Sequence, residues 1–473
     1  PFYTLYILLF RWIGFPGSMI AEYTATMVFT VLSLALFARP YLGWWVALFF
    51  GILWIPFLQE SEPPVQNLAL GFSCLAVYFR AKGETPKNLT IFYLFLGLAY
   101  LFRVTYSAMV LIFLAWDTAT ILRARKRKPT LTLSKSFQFL LLPALVIGLL
   151  VGTFRSFQSS HHWNNAWYVT TDWYPDPGKS LISASIFESI NIKYVQSQPP
   201  GSGTPTDMYF SNPKLFGENS SLGKAILKKP EIFLRHWKKN LKELLPMSIA
   251  MTQLFRVYSG SRLANVFFVP FFAMLFLYAF LFSKNRVTQI FILGSFGLLA
   301  STALAMPKMR YMTPFIPVLG LCSAALAHWV QKKLGRPSLY WVAPITGSAF
   351  VFVFSQWPLW TPVLAEVRRE ASLGQFHVLE KKEHSMTRAY FEFKKIDPAR
   401  NCRGIISLEY SFMAAFLADV PLDRIHDHME IPPFGSFQQS KLDILRPARI
   451  NCLFLSHWFQ TGNGGATNLS DRY

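Results

Sequence analysis

Three residues in MPKMRYMTPFIPVLG (306–320) are of types that hold phosphate: Lys308, Arg310 and Tyr311 lie at a seam between two apolar runs. Arginine presents a planar fork that matches phosphate oxygens two at a time, and lysine adds a point charge. Two further turns carry comparable groups. LQESEPP (58–64) places Glu60 and Glu62 beside an apolar run, and FRVTY (102–106) contains Arg103. Carboxylates are the usual general bases for activating a hydroxyl. Each group also has a plainer reading. Arg103 and Arg310 can snorkel to lipid head groups, and Glu60 and Glu62 can be solvated loop charges. No Cys/His spacing suggests zinc, so no metal or other cofactor is implied. His426 and His428 share a strand face without further ligands. His161 and His162 read as surface or acceptor-contact residues, and Asp172 and Asp176 as turn residues.

The elements that would position these groups are apolar. The chain has 473 residues, 52% hydrophobic and only 15% charged, with mean hydropathy +0.30. A soluble domain averages about 25% charged residues. Runs of apolar sequence predict ten membrane segments, near 18–37, 41–58, 64–79, 89–103, 105–121, 138–154, 263–282, 287–306, 312–330 and 339–357. Residues 1–15, PFYTLYILLFRWIGF, read as an interfacial helix.

Alternation of these segments sorts the net charge of +21. One set of connections holds Arg39; Arg80, Lys82 and Lys87; the basic residues of RARKRK (123–128) with Lys135; Lys284 and Arg286; and Lys332, Lys333 and Arg336. That is fifteen basic residues against one acid, Glu84. The positive-inside rule assigns this set to the cytoplasm. The basic run is thus a topology signal, and a nucleic-acid partner is not indicated. The opposite, exoplasmic side receives the turns at 59–63, near 104 and at 307–311, a loop over 155–262, and the tail from 358. It corresponds to the periplasm of a bacterial inner-membrane protein, or to a lumen in a eukaryote.

The organisation expected is therefore an N-terminal transmembrane part (1–154), an exoplasmic loop (155–262), C-terminal transmembrane helices (263–357) and an exoplasmic α/β tail (358–473). The loop ends in KKPEIFLRHWKKNLKELL (228–245). Ile232, Phe233, Trp237, Leu241, Leu244 and Leu245 share one helical face, and the other face is basic. Such a helix lies either on the membrane or on the protein's own loop. In the tail, DPARNC (397–402) and RPARINC (446–452) each lead into an apolar strand, GIISL and LFLSH. A helix at 410–418 and a strand at 423–431 lie between them, an order that fits parallel pairing. The matched preludes bring Cys402 and Cys452 to corresponding strand ends, and a disulfide there is open in an oxidising compartment.

Carboxylates at one exoplasmic turn and cations at two others suit a lipid-phosphate sugar donor. Its phosphate would sit at the interface and its tail in the bilayer. The motifs also resemble a known group, the GT-C superfamily of polyprenyl-phosphate-sugar-dependent glycosyltransferases, in particular its protein O-mannosyltransferase and aminoarabinose-transferase-like members. PFYTLYILLFRWIGFPG is similar to the segment after that family's first exoplasmic loop. WWVALFFGILWIPFLQESEPPVQNLALGFSCLAVYF resembles its next helix pair. LFLGLAYLFRVT resembles its Gly-Leu-Ala…Arg-Pro helix end, with Val104 in place of Pro. PKMRYMTPFIPVLG resembles its Arg-Tyr…Pro…Pro motif near the donor phosphate.

The resemblance covers about residues 1–345. It implies a multipass α-helical membrane glycosyltransferase using a polyprenyl-phosphate-linked sugar and an exoplasmic acceptor. It also implies that the principal catalytic carboxylate lies in a loop upstream of Pro1, so that this chain is N-terminally truncated, with Glu60 and Glu62 secondary candidates. Alternatives are a lipid-linked oligosaccharide polymerase or ligase, a transporter or flippase, and a non-catalytic scaffold. The topology has a direct check. Epitope tags at 125–128, 285 and 334 should be reached by protease or label only from the cytoplasmic face, and tags at 200 and 465 only from the opposite face.

Overall fold

The computed structural model describes residues 17–55, 64–83, 85–127, 213–217, 221–250 and 286–304 almost without gaps. It also describes scattered positions within 6–13, 145–152, 186–194 and 313–321, residues 58 and 281, and three short strands. The described residues are mostly helical. Five helices follow closely: α1 (Gly17–Leu42), α2 (Trp44–Leu53), α3 (Pro64–Ala81), α4 (Pro86–Phe102) and α5 (Ser107–Arg127). Next come the short α6 (Pro213–Phe216) and α7 (Leu222–Lys228), then α8 (Pro230–Ala250) and α9 (Arg286–Leu304). Helices thus stand where segments 18–37, 41–58, 64–79, 89–103, 105–121 and 287–306 were expected. Segments 138–154, 263–282, 312–330 and 339–357 fall largely outside the described residues. Ala21–Leu42 is long and apolar enough to cross a membrane, while Trp44–Leu53, Pro86–Phe102 and Arg286–Leu298 are shorter apolar stretches.

The chain divides into two compact units. One comprises residues 1–22, 153–230 and 369–473, the other residues 23–152 and 231–368. In the second unit, α3 and α4 are joined by a turn with clear local causes. Gly83 has φ of 139°, a conformation that disfavours any residue with a Cβ. The Thr85 side chain caps α4 by accepting from the Asn88 N–H at 3.3 Å, and Pro86 occupies the first turn, where its missing N–H costs nothing. Phe72 stacks on Phe102, with centroids 5.6 Å apart, and Phe79 contacts Phe95. Near the end of α1, Tyr41 and Thr288 share a 2.6 Å hydrogen bond, and Phe37 meets Phe291. These two pairs make α1 and α9 antiparallel neighbours and bring the Arg39 end of one beside the Arg286 end of the other. Elsewhere α2 approaches α1 closely: a Cβ on Gly51 would lie 2.8 Å from the Val31 carbonyl oxygen.

The deepest polar contact of this unit links three helices. Arg80 of α3 lies 2.6 Å from an Asp117 carboxylate oxygen of α5, and the Tyr93 hydroxyl of α4 donates to the other oxygen. The Arg80 guanidinium also covers the Phe92 ring at 5.4 Å. Arg80 and Asp117 are 3% and 0% exposed. The sequence reading counted Arg80 among solvated loop cations and passed over Asp117 as part of an apolar run. Both are instead interior. A buried charge without its partner costs far more than the intact pair contributes.

In the first unit, Phe187 packs on Phe216, and Lys228 donates to the Phe216 carbonyl at 3.1 Å. The tail forms a parallel three-stranded sheet in the order β2-β1-β3, with β1 at Ile405–Ser407, β2 at Ile425–Asp427 and β3 at Cys452–Phe454. Ile405 pairs with Ile425 on one side and Cys452 on the other. Parallel pairing matches the order read from the sequence. The register sets Cys452 level with Ile405, three positions beyond Cys402, which lies outside the described residues.

The three-helix cluster yields a stability prediction. Asp117→Ala should lose about 3–5 kcal/mol by stranding the Arg80 charge. Tyr93→Phe should lose about 1.5–3 kcal/mol, the range for a hydrogen bond to a charged group. The double variant Arg80→Met/Asp117→Leu should recover most of the Asp117→Ala loss. Thermal midpoints of the four purified proteins provide the check.

Candidate functional site at the helix mouths

Of the sequence-predicted site residues, Arg103 is described; Glu60, Glu62, Lys308, Arg310 and Tyr311 lie outside the described residues. The flanks of their three turns are described in part, and the contacts among those flanks define the site. Arg103 is the C-cap of α4, with extended backbone and its N–H bonded to the Ala99 carbonyl at 2.9 Å. A single 3-10 turn, Val104–Tyr106, then redirects the chain into α5. Its closing hydrogen bond runs from the Tyr106 N–H to the Arg103 carbonyl at 3.0 Å. The side chain of Arg103 is half-buried.

Tyr106 points inward and is 1% exposed. Its hydroxyl has three polar neighbours: the Arg103 guanidinium, the Ser73 hydroxyl of α3 and the Thr313 hydroxyl. Thr313 follows Arg310 by three residues, as Tyr106 follows Arg103. Tyr106 of the second turn therefore lies beside Thr313. Just beyond, the Ile316 N–H bonds to the Thr313 carbonyl, and Gly320 lies against the ring of Phe50 in α2. Phe50 in turn packs on Trp54, with centroids 6.2 Å apart. The Trp54 carbonyl accepts from the Leu58 N–H at 2.9 Å. Asn67 of α3 donates to the Leu58 carbonyl at 3.2 Å, and its own carbonyl accepts from Thr30 at 3.1 Å. These contacts link described residues on the flanks: Leu58 and Asn67 near the first turn, and Phe50 with Gly320 beyond the third.

Hydrogen-bonding capacity here is only partly used. Ser73 directs its proton to the Leu70 carbonyl at 2.8 Å. Tyr106 Oη and Thr313 Oγ1 lie close to each other without a well-aligned hydrogen bond, and Gln66 Nε2 and Asn67 Oδ1 are buried without a partner. Buried polar atoms are nearly always paired, so exceptions call for a reason. These four lie in the described flanks of the turns to which a polar ligand was assigned. A hydroxyl beside a half-buried guanidinium suits a polar, anionic group. Among the described residues no cluster of three or more His, Cys, Asp or Glu could hold a metal ion.

The sequence reading missed Tyr106, Thr313, Gln66 and Asn67, because hydroxyls and amides at the ends of apolar runs look like ordinary boundary residues. It also left aside Glu22, a carboxylate 3% exposed within α1. No protein-family model matches the chain, and neither a curated protein nor a solved structure is similar to it at a significant level.

The unused hydroxyl provides a test that separates stability from function. Removing a buried, unpaired polar atom is neutral or stabilising. Tyr106→Phe should keep or raise the thermal midpoint while weakening binding of a phosphate-bearing lipid. Paired melting and binding titrations of wild type and Tyr106→Phe would show it.

Proposed function

We propose that the protein is a multipass membrane glycosyltransferase that moves a sugar from a polyprenyl-phosphate donor to an exoplasmic acceptor. The observation supporting this most is the adjacency of Arg103–Tyr106 and Thr313, with buried hydroxyls left unpaired between them. It supports a reading in which Arg103 and the residues before Thr313 serve one ligand. The GT-C resemblance supplies the donor class, and the basic connections supply the orientation. The membrane is then a bacterial inner membrane, or one bounding a lumen, with the site on the exoplasmic side.

In this reading a carboxylate takes the proton of the acceptor hydroxyl. The resulting oxygen attacks the anomeric carbon, the bond from that carbon to the phosphate oxygen breaks, and configuration inverts. Charge grows on the departing phosphate. Arg310, with Lys308, Tyr311 and Arg103, stabilises it more in the transition state than in the ground state. Glu60 and Glu62 are secondary candidates for that carboxylate.

A second reading, a transporter or flippase, draws on the Arg80–Asp117 pair, since ionisable groups inside membrane helices often mark transport paths. Asp117→Asn would then abolish transport, whereas a transferase would lose stability and keep its turnover.

Arg310 decides the proposal. Arg310→Ala should lower sugar transfer by about 100- to 1000-fold with folding intact, as for loss of an oxyanion contact. Arg310→Lys should recover part of the rate, because the charge remains and the fork does not. Lys308→Ala should cost less. If Arg310 only snorkels, Arg310→Lys will behave as wild type and Arg310→Ala will lower the thermal midpoint instead.

A further inference from the structure

Helix α8 has three sides, and each faces a different environment. At about 100° per residue, His236 and Asn240 share one side, and both are buried. Asn240 Nδ2 lies 2.7 Å from the Ala303 carbonyl oxygen and 3.0 Å from His236 Nε2. One carboxamide has two N–H groups and can donate to both, with the imidazole neutral. Ala303 belongs to the last turn of α9, where carbonyls have no partner within the helix. Asn240 thus fixes α8 at the point where an apolar helix ends.

A second side, next to the first, is apolar and uncovered. Leu234 is 63% exposed and Trp237 is 38% exposed, with Leu241 half-buried beside them. The third side carries Arg235, Lys238, Lys239 and Lys242, all exposed, with the exposed acid Glu231 among them; the side chain of Glu243 lies outside the described residues. The sequence reading placed the apolar residues together on the packed side or on a lipid side. In the structure a polar pair does the packing, and Leu234 and Trp237 remain free.

We infer that α8 is an interfacial helix that rests its Leu234–Trp237–Leu241 side on an anionic bilayer surface. The inference rests on the membrane reading of the chain and goes beyond the transfer reaction. Three features commit it to anionic lipid. The anchor is the end of an apolar helix, which is the depth of the head groups. Trp237 marks the border of an apolar side, the usual place of tryptophan at a membrane interface. The adjoining side is strongly basic, complementary to anionic head groups.

The test uses the full chain in vesicles of phosphatidylcholine and phosphatidylglycerol, with a fluorescent amino acid at position 234, 235 or 32. Leu32 is an exposed apolar residue of α1, 42% exposed, and reports whether the chain enters the bilayer at all. Position 234 should be quenched by a nitroxide lipid and spared by aqueous iodide, and position 235 should show the reverse. Replacing Arg235, Lys238, Lys239 and Lys242 by Gln, or omitting phosphatidylglycerol, should each reduce lipid quenching at 234 and leave that at 32 unchanged. Iodide quenching at 234 together with lipid quenching at 32 would overturn the inference and leave the membrane reading intact. Protection of 234 from both quenchers would mean that protein covers this side, and would also overturn it. Insensitivity to both the Gln variant and lipid charge would overturn the anionic assignment. Iodide quenching at 32 would instead remove the membrane reading beneath it.

Discussion

The pairing of Arg80 with Asp117, completed by Tyr93, is the constraint to which the helix packing answers. Apolar side chains on neighbouring helices can exchange partners with little loss, especially when the surroundings are apolar too. A buried charge has no such freedom. If α5 turned by one residue position, about 100°, Asp117 would leave Arg80, and the guanidinium would face hydrocarbon alone. The cluster therefore sets the rotation and height of α3, α4 and α5 together. The aromatic contacts of Phe72, Phe79 and Phe95 then follow from that register. Arg103 and Tyr106 occupy the turn that joins α4 and α5, so the cluster also fixes where these candidate site residues begin.

Burial of polar groups takes two forms in this unit. Around Asp117 and Asn240, most donors have found acceptors, and the contacts hold helices in place. Beside the turns, Tyr106, Thr313 and Gln66 are enclosed with hydrogen-bonding capacity left over. The first form contributes rigidity. The second opposes folding unless a ligand, or residues beyond those described, completes it. Both forms occur on the same helices, so α3 carries a satisfied cluster at Arg80 and an unsatisfied amide at Gln66.

The helices of the second unit were readable because length and apolar composition are properties of a run. Thr85 with Pro86 announces the start of α4, and the 3-10 turn at 104–106 falls where the apolar pattern breaks at Arg103. The strand order of the tail was readable for a similar reason: two matched preludes precede strands that pair with β1 or belong to it. Asp117 was not readable. One carboxylate in LIFLAWDTATIL has no periodicity, and its partner lies 37 residues earlier, at what looks like a helix end. The same limit hid Asn240, whose partner is a backbone carbonyl, a group that every residue carries. Of the charged candidates only Arg103 is among the described residues, and Tyr106 and Thr313 were not legible because they gain meaning only as neighbours.

The bond from Asn240 to the Ala303 carbonyl joins positions 63 residues apart. It turns the intervening chain into a closed ring, and a ring treats changes of length unevenly. Residues added between the end of α8 and the start of α9 become slack, at an entropic cost that grows only slowly with length. A single residue added between His236 and Asn240 lies outside the ring but turns the buried imidazole about 100° away from the carboxamide and breaks their contact. In the history of such a chain, gaps and insertions would collect in the first stretch and be excluded from the second. Two neighbouring parts of the chain would then diverge in length at very different rates.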